Sequence, residues 1–195
     1  AMTVNLEYPP GATPLDADER ASLIPGHITN QRELNEWEQL NILQGEAWAG
    51  KQRKEVLSEV FVRQLHKQMF GDTWRWAGQF RKSDKNIGVD WLNISVELRK
   101  LLDDVAVQIE HTSYPPDEVA ARFHHRLVAI HPFPNGNGRH ARLMADLLAE
   151  RLGQSRFTWG SRSLVDASAT RQAYITALQA ADARNYTPLL VFARS

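Results

Sequence analysis

His131-Pro132-Phe133-Pro134-Asn135-Gly136-Asn137-Gly138-Arg139-His140-Ala141-Arg142 is the stretch on which the reading of this chain turns. An apolar helical pattern runs into it. After the Pro115-Pro116-Asp117 breaker, Val119, Phe123, Leu127 and Ile130 recur at helical spacing. A second pattern starts inside it, from about Asn137 to Leu152, with Met144, Leu147 and Leu148 inward and Gly153 as the C′ residue. Two helices joined by a short loop are therefore predicted. Gly136 and Gly138 allow successive backbone N–H groups to turn inward, and the second helix begins there with unpaired N–H groups and the positive end of its dipole. Both features bind anions. Arg139 falls in the first helical turn, with Arg142 one turn on and on the same side. Cations oppose the dipole at this end of a helix, so two arginines make sense around an anion, and guanidinium forks suit phosphate oxygens. His131 precedes the loop and can take a proton near neutral pH. A Gly-Asn-Gly alone is usually just a turn, and a lone histidine is usually structural. The ordered combination points to a phosphate cradle beside a base.

The rest of the chain reads as further helices. Residues 1–28, rich in Pro, Gly and Asp, form an extended arm over the domain, with a short turn near Asp16–Ser22. Residues 29–49 form a helix with Thr29 as N-cap and Leu34, Trp37 and Leu40 on one face; Glu33 and Glu36 lie on the other. Residues 50–195 make the core domain. Its helices cover about 53–69 (Val56, Leu57, Val60, Phe61, Leu65, Met69), 95–111 behind a Ser95 cap, the two flanking the loop, 167–182, and a last one from Thr187-Pro188. Between them, Ser83-Asp84-Lys85-Asn86 separates two short segments, 80–82 and 87–89, and predicts a small β-hairpin or irregular flap. The fold class is all-α with that one hairpin.

Composition narrows the function. Lys plus Arg and Asp plus Glu both number 23, for a net charge of zero, which argues against a protein whose task is to coat nucleic acid. There is no cysteine, hence no disulfide framework or thiolate metal site. No run is long and apolar enough to span a membrane, and no signal-peptide core is present, so a cytoplasmic chain is expected. His124, His125, His131, His140 and Asp146 cluster in sequence, but their spacing fits no zinc-hydrolase pattern.

The loop resembles the HPFx(D/E)GNGRxxR signature of the Fic family. Trp76-Ala77-Gly78 with Arg81 resembles the approach to that family's flap, and Tyr174 with Tyr186-Thr187-Pro188-Leu189 resembles its closing helices. Glu33-Leu34-Asn35-Glu36-Trp37-Glu38 is similar to small bacterial Fic proteins of mobile elements. The resemblance implies a Fic-type helical bundle that transfers AMP from ATP to a Tyr, Thr or Ser hydroxyl of a protein target. His131 would be the general base. Asn135, Gly136, Asn137, Gly138, Arg139 and Arg142 would bind the nucleotide, with Asn137 and the glycine backbone as anion hole and Phe133 as loop anchor. Lys82, Ile87, Gly88 and Val89 would clamp the target by main-chain pairing. The family usually has Asp or Glu where this chain has Asn135, so Mg²⁺ would be held weakly there and chiefly by the ATP phosphates. Thr29–Asn35 approximates the family's inhibitory (S/T)xxxE(G/N) segment, which makes Glu33, with Glu36 second, the expected brake on Arg142. Alternatives within the same resemblance are a catalytically weak module that binds a nucleotide or partner, and transfer of another phosphate-containing group. Neither a membrane nor direct nucleic-acid contact is implied, and the oligomeric state is open.

Overall fold

A computed structural model of the chain describes residues 4–8, 12–163 and 165–195. These carry eight α-helices: α1 (Ala17–Ala21), α2 (Gln31–Gly50), α3 (Glu59–Phe70), α4 (Ile94–Glu110), α5 (Pro116–Ile130), α6 (Asn137–Arg151), α7 (Ala167–Asp182) and α8 (Thr187–Ala193). The helix α6 is central. It buries His140, Ala141, Leu143, Met144, Ala145, Leu147, Leu148 and Ala149, more than one face of its surface, as a helix packed on several sides must. On one side it packs against α5, which in turn carries α4; on the other it meets α3, which carries α2. The pair α7 and α8 closes on α5 through a smaller apolar cluster of Ala121, Ala177, Ala181, Leu189 and Phe192. No helix among the described residues is long and apolar enough to cross a membrane.

Several local expectations shift. Asn30, not Thr29, caps α2, accepting from the Glu33 amide at 2.9 Å. The expected helix from residue 53 begins at Glu59, because Ser58 caps it by accepting from the Phe61 amide. Val56 still reaches the core, but from the preceding loop, and Val60 faces outward while Val62 is buried. A short 3₁₀ turn, Trp91–Asn93, leads into α4 at Ile94, so Ser95 is not its cap.

The segment 12–28 packs against the helices. Leu15 and Ile28 are buried, and the Ile24 amide donates to the Thr73 carbonyl at 2.8 Å while the Arg75 amide donates to Ser22 at 3.0 Å. The indole of Trp76 donates to the Glu19 carbonyl at 3.0 Å. Residues 80–90 are not a hairpin; among the described residues the structure holds only an isolated bridge between Leu23 and Trp74. The main chain here pairs away from itself. The Arg81 amide donates to the Pro132 carbonyl (2.9 Å) and the Val89 amide to that of Ile130 (3.3 Å), so the two would-be strands bond the segment before the loop instead of each other.

Candidate active site

The loop between α5 and α6 is fixed by groups on several helices. Gly136 has φ 79°, and a Cβ there would sit 2.5 Å from the ring of Phe70, so only glycine fits. Phe133 is fully buried, and the Asn137 side chain brackets it: its Oδ1 accepts from the Phe133 amide (3.0 Å) and its Nδ2 donates to the Phe133 carbonyl (2.8 Å). His66 of α3 stacks on Phe133 with ring centroids 3.7 Å apart. The Gly78 amide donates to His66 Nδ1 at 2.9 Å, so the ring proton is on Nε2, which donates to the Asn135 carbonyl at 3.0 Å. Burial and the nearby His140 hold His66 well below the usual histidine pKa, which keeps it in this neutral tautomer.

These bonds leave the cradle open. Among the described residues, no acceptor lies on the amides of Gly136, Asn137, Gly138 and Arg139, the unpaired start of α6. A cleft of about 290 Å³ lies in front of them, lined by His131, Gly136–Arg139, Arg142 and Tyr174. His131 ends α5 in a left-handed conformation, φ 54° and ψ 61°. Its Nε2 is buried and has no partner among the described residues. Burial lowers its pKa to about 4, and the charges of Arg81 and Lys85 push the same way. At neutral pH the ring is a free base.

Arg139 stacks over Phe70, 5.0 Å from the ring centroid, and donates to Glu38 Oε2 at 3.2 Å and Asn135 Oδ1 at 3.4 Å. Glu38 is only 5% exposed, on the buried stripe of α2 with Leu34, Asn41, Ile42 and Gly45. Arg142 lies over the Tyr174 ring at 5.2 Å, where its charge opposes the rise that burial gives the Tyr174 pKa. Tyr174 is held in turn by buried His124, whose Nε2 lies 2.7 Å from the hydroxyl.

Glu33 is not with Arg142. Its carboxylate turns back to the start of α2, accepting from the Thr29 amide (2.9 Å) and hydroxyl (3.3 Å), and Glu36 is exposed. The carboxylate that reaches the loop is Glu38, on the opposite face of the helix from the two expected ones. The charge on the apolar stripe was the available signal, since an acidic residue is rarely buried without a partner.

Lys82 and Ile87 are exposed, with Ile87 at the cleft. Gly88, φ 102°, lies so close to the loop that a Cβ would come within 2.8 Å of the His131 Cβ. The flap is pinned by Arg81, 2% exposed, whose guanidinium donates to the carbonyls of His131 (2.6 Å), Ser83 (2.9 Å), Val89 (2.5 Å) and Ile130 (3.2 Å). Lys85 fastens the flap to the arm through ion pairs with Glu19 and, at 3.5 Å, Asp16. Both flap cations escaped the sequence reading of the site, because their partners are carbonyls or lie far away in the chain.

A resident metal ion has little to hold it. The Asn135 side chain is neutral, its oxygen turned to a cation and its Nδ2 to the Thr13 carbonyl at 3.5 Å. Among the described residues no group of three His, Cys, Asp or Glu side chains could bind one. The other loop-proximal histidines are occupied: His125 with Asp182 (2.7 Å) and His140 with the Val62 carbonyl (2.9 Å). The residues do not fit a bound Mg²⁺.

Residues 56–149, which include α3 through α5, the loop and most of α6, match the model of the Fic/DOC family. The chain has the fold of a Fic domain. Over 140 residues it is 29% identical to a probable protein adenylyltransferase, y4lH, of Sinorhizobium fredii, covering 65% of this chain and 69% of that one. It is 42% identical over 65 residues to the protein adenylyltransferase fic-1 of Caenorhabditis elegans, of which those residues are 10%. The Fic fold extends beyond the matched segment. The N-terminal Fic domain of a Bartonella quintana effector superposes with a TM-score of 0.69 at 21% identity, over 90% of this chain and 91% of that one. BepC of Bartonella tribocorum, solved with bound AMPPNP, superposes with a TM-score of 0.70 at 18% identity, over 92% and 97%.

Proposed function

We propose that this Fic chain is a protein adenylyltransferase, which moves AMP from ATP to a Tyr, Thr or Ser hydroxyl of a protein. The observation that carries the reading is His131, its Nε2 unpartnered among the described residues, lining the same cleft as the free amides of residues 136–139 and the two arginines. His131 takes the proton as the target oxygen attacks the α-phosphorus. Pyrophosphate leaves as the bond to the β-phosphate oxygen breaks. The amides stabilise the charge that develops on the α-phosphate oxygens, and Arg139 and Arg142 hold the rest of the phosphate chain. The adenylyltransferase names of the relatives support this reaction class. Magnesium enters as part of the ATP substrate. Val89 has both main-chain groups committed to the protein itself, so pairing with a target strand falls to the flap residues around Ile87. With ATP as donor, we place the reaction in the cytoplasm.

The helix α2 supplies a brake. Glu38 holds Arg139 and offers it the charge that a phosphate would bring. Arg139 is about one-third exposed, so the pair is partly screened; at ~1 kcal/mol its removal speeds labelling about fivefold. The test uses α-labelled ATP and a lysate. Glu38→Ala should label proteins about fivefold faster than the wild type, Glu33→Gly should match the wild type, and His131→Ala should label nothing. Persistent labelling by His131→Ala would defeat the transferase reading. The neutral Asn135 favours a second reading, a module that binds nucleotide without turnover. It predicts ATP binding with no His131-dependent label.

A further inference from the structure

The arm brings a hydroxyl-bearing residue of the chain itself to the cleft. Thr13 is 5% exposed, and its Oγ1 is buried without a partner among the described residues. Buried hydroxyls nearly always find one. Thr13 lines the same cleft as His131 and the start of α6. Its carbonyl accepts from Asn135 Nδ2 at 3.5 Å, so its backbone is tied to the loop that would hold the donor. The next residues are anchored as well: Leu15 is buried, and Asp16 accepts from the Ser83 hydroxyl at 2.7 Å. Thr13 and His131, whose Oγ1 and Nε2 are both orphaned among the described residues, therefore line one cleft beside four free amides.

We propose that Thr13 is an intramolecular acceptor, modified by the chain's own site. The inference rests on the adenylyl-transfer reading. The Thr13 oxygen forms a bond to the α-phosphorus of ATP, its proton passes to His131 Nε2, and pyrophosphate leaves. The anchored arm presents the hydroxyl at high effective concentration, so no encounter with a second molecule is needed. The product is an arm carrying AMP as a phosphodiester.

The test incubates the full chain with α-labelled ATP and Mg²⁺ over a hundredfold range of protein concentration, and maps the adduct by peptide mass spectrometry. The expected result is AMP on Thr13 with a first-order rate constant independent of protein concentration. Thr13→Ser should keep the adduct, while Thr13→Val and His131→Ala should lose it. His131-dependent label on other residues or lysate proteins, with Thr13 unmodified, overturns this inference and leaves adenylyl transfer standing. A Thr13 adduct whose rate constant rises with protein concentration overturns the intramolecular route. No His131-dependent label on any protein overturns both.

Discussion

At the scale of single residues, the site is built by side chains that never touch the chemistry. Asn137 is the clearest. Its amide brackets both main-chain groups of Phe133, which fixes the turn on which the free amides sit. Asn137→Ala leaves two buried groups unpaired and should destabilise the chain by about 3 kcal/mol in urea unfolding. Tyr174 has a subtler effect. It lies between buried His124, which burial keeps neutral with a pKa lowered to about 3, and Arg142. Tyr174→Phe removes the hydroxyl that His124 holds and keeps the ring, so the surface on which Arg142 stacks loses its fixed position but not the stacking. The KM for ATP should rise several-fold with kcat little changed, and the variant should add nothing to Arg142→Ala. Asn135→Asp should lower the Mg²⁺ concentration for half-maximal activity. An unchanged dependence would mean that this position never meets the metal of the substrate.

At the scale of elements, the sequence reads well where one helix decides its own limits and poorly where two segments must agree. The loop and the helices α5 and α6 are legible because breaker, glycines and apolar spacing all lie within one stretch. The arm is legible from its lack of periodicity. The flap is not, because its shape depends on Arg81 reaching carbonyls at 130 and 131, some fifty positions along the chain. The helix α2 misleads in another way. Its existence is plain, but the choice of carboxylate depends on which side of the helix turns toward Arg139, and only packing reveals that. Lys85 makes the arm and flap one mechanical unit, its side chain 3% exposed between Asp16 and Glu19. Lys85→Met should loosen both together, seen as faster amide exchange in residues 12–24 and 80–90 and little change in α4.

At the scale of the whole molecule, burial of histidines makes the fold sensitive to acid. His66, His124, His131 and His140 all titrate below the ordinary value, with burial the largest cause each time. As pH falls below about 6.5 the unfolded chain takes up protons that the folded chain refuses. Stability is therefore intact above neutrality and declines toward pH 4, by up to about 1.4 kcal/mol per pH unit for each histidine. Asp146, which burial raises to about 6, acts in the opposite direction, but it is one group against four. Thermal melts should show Tm falling steeply between pH 6 and 5. Activity should follow that unfolding and show no separate ionisation near 6.5, since His131 already sits near 4.

The left-handed turn at His131 sets durability against chemistry. A residue with a Cβ holds that backbone angle at a cost, which glycine avoids and asparagine reduces. The imidazole adds the expense of a buried group that resists protonation. Laboratory evolution of this chain for heat or acid resistance alone, with no demand for turnover, should thus enrich Gly or Asn at position 131 early. The survivors would be sturdy, well folded and inert.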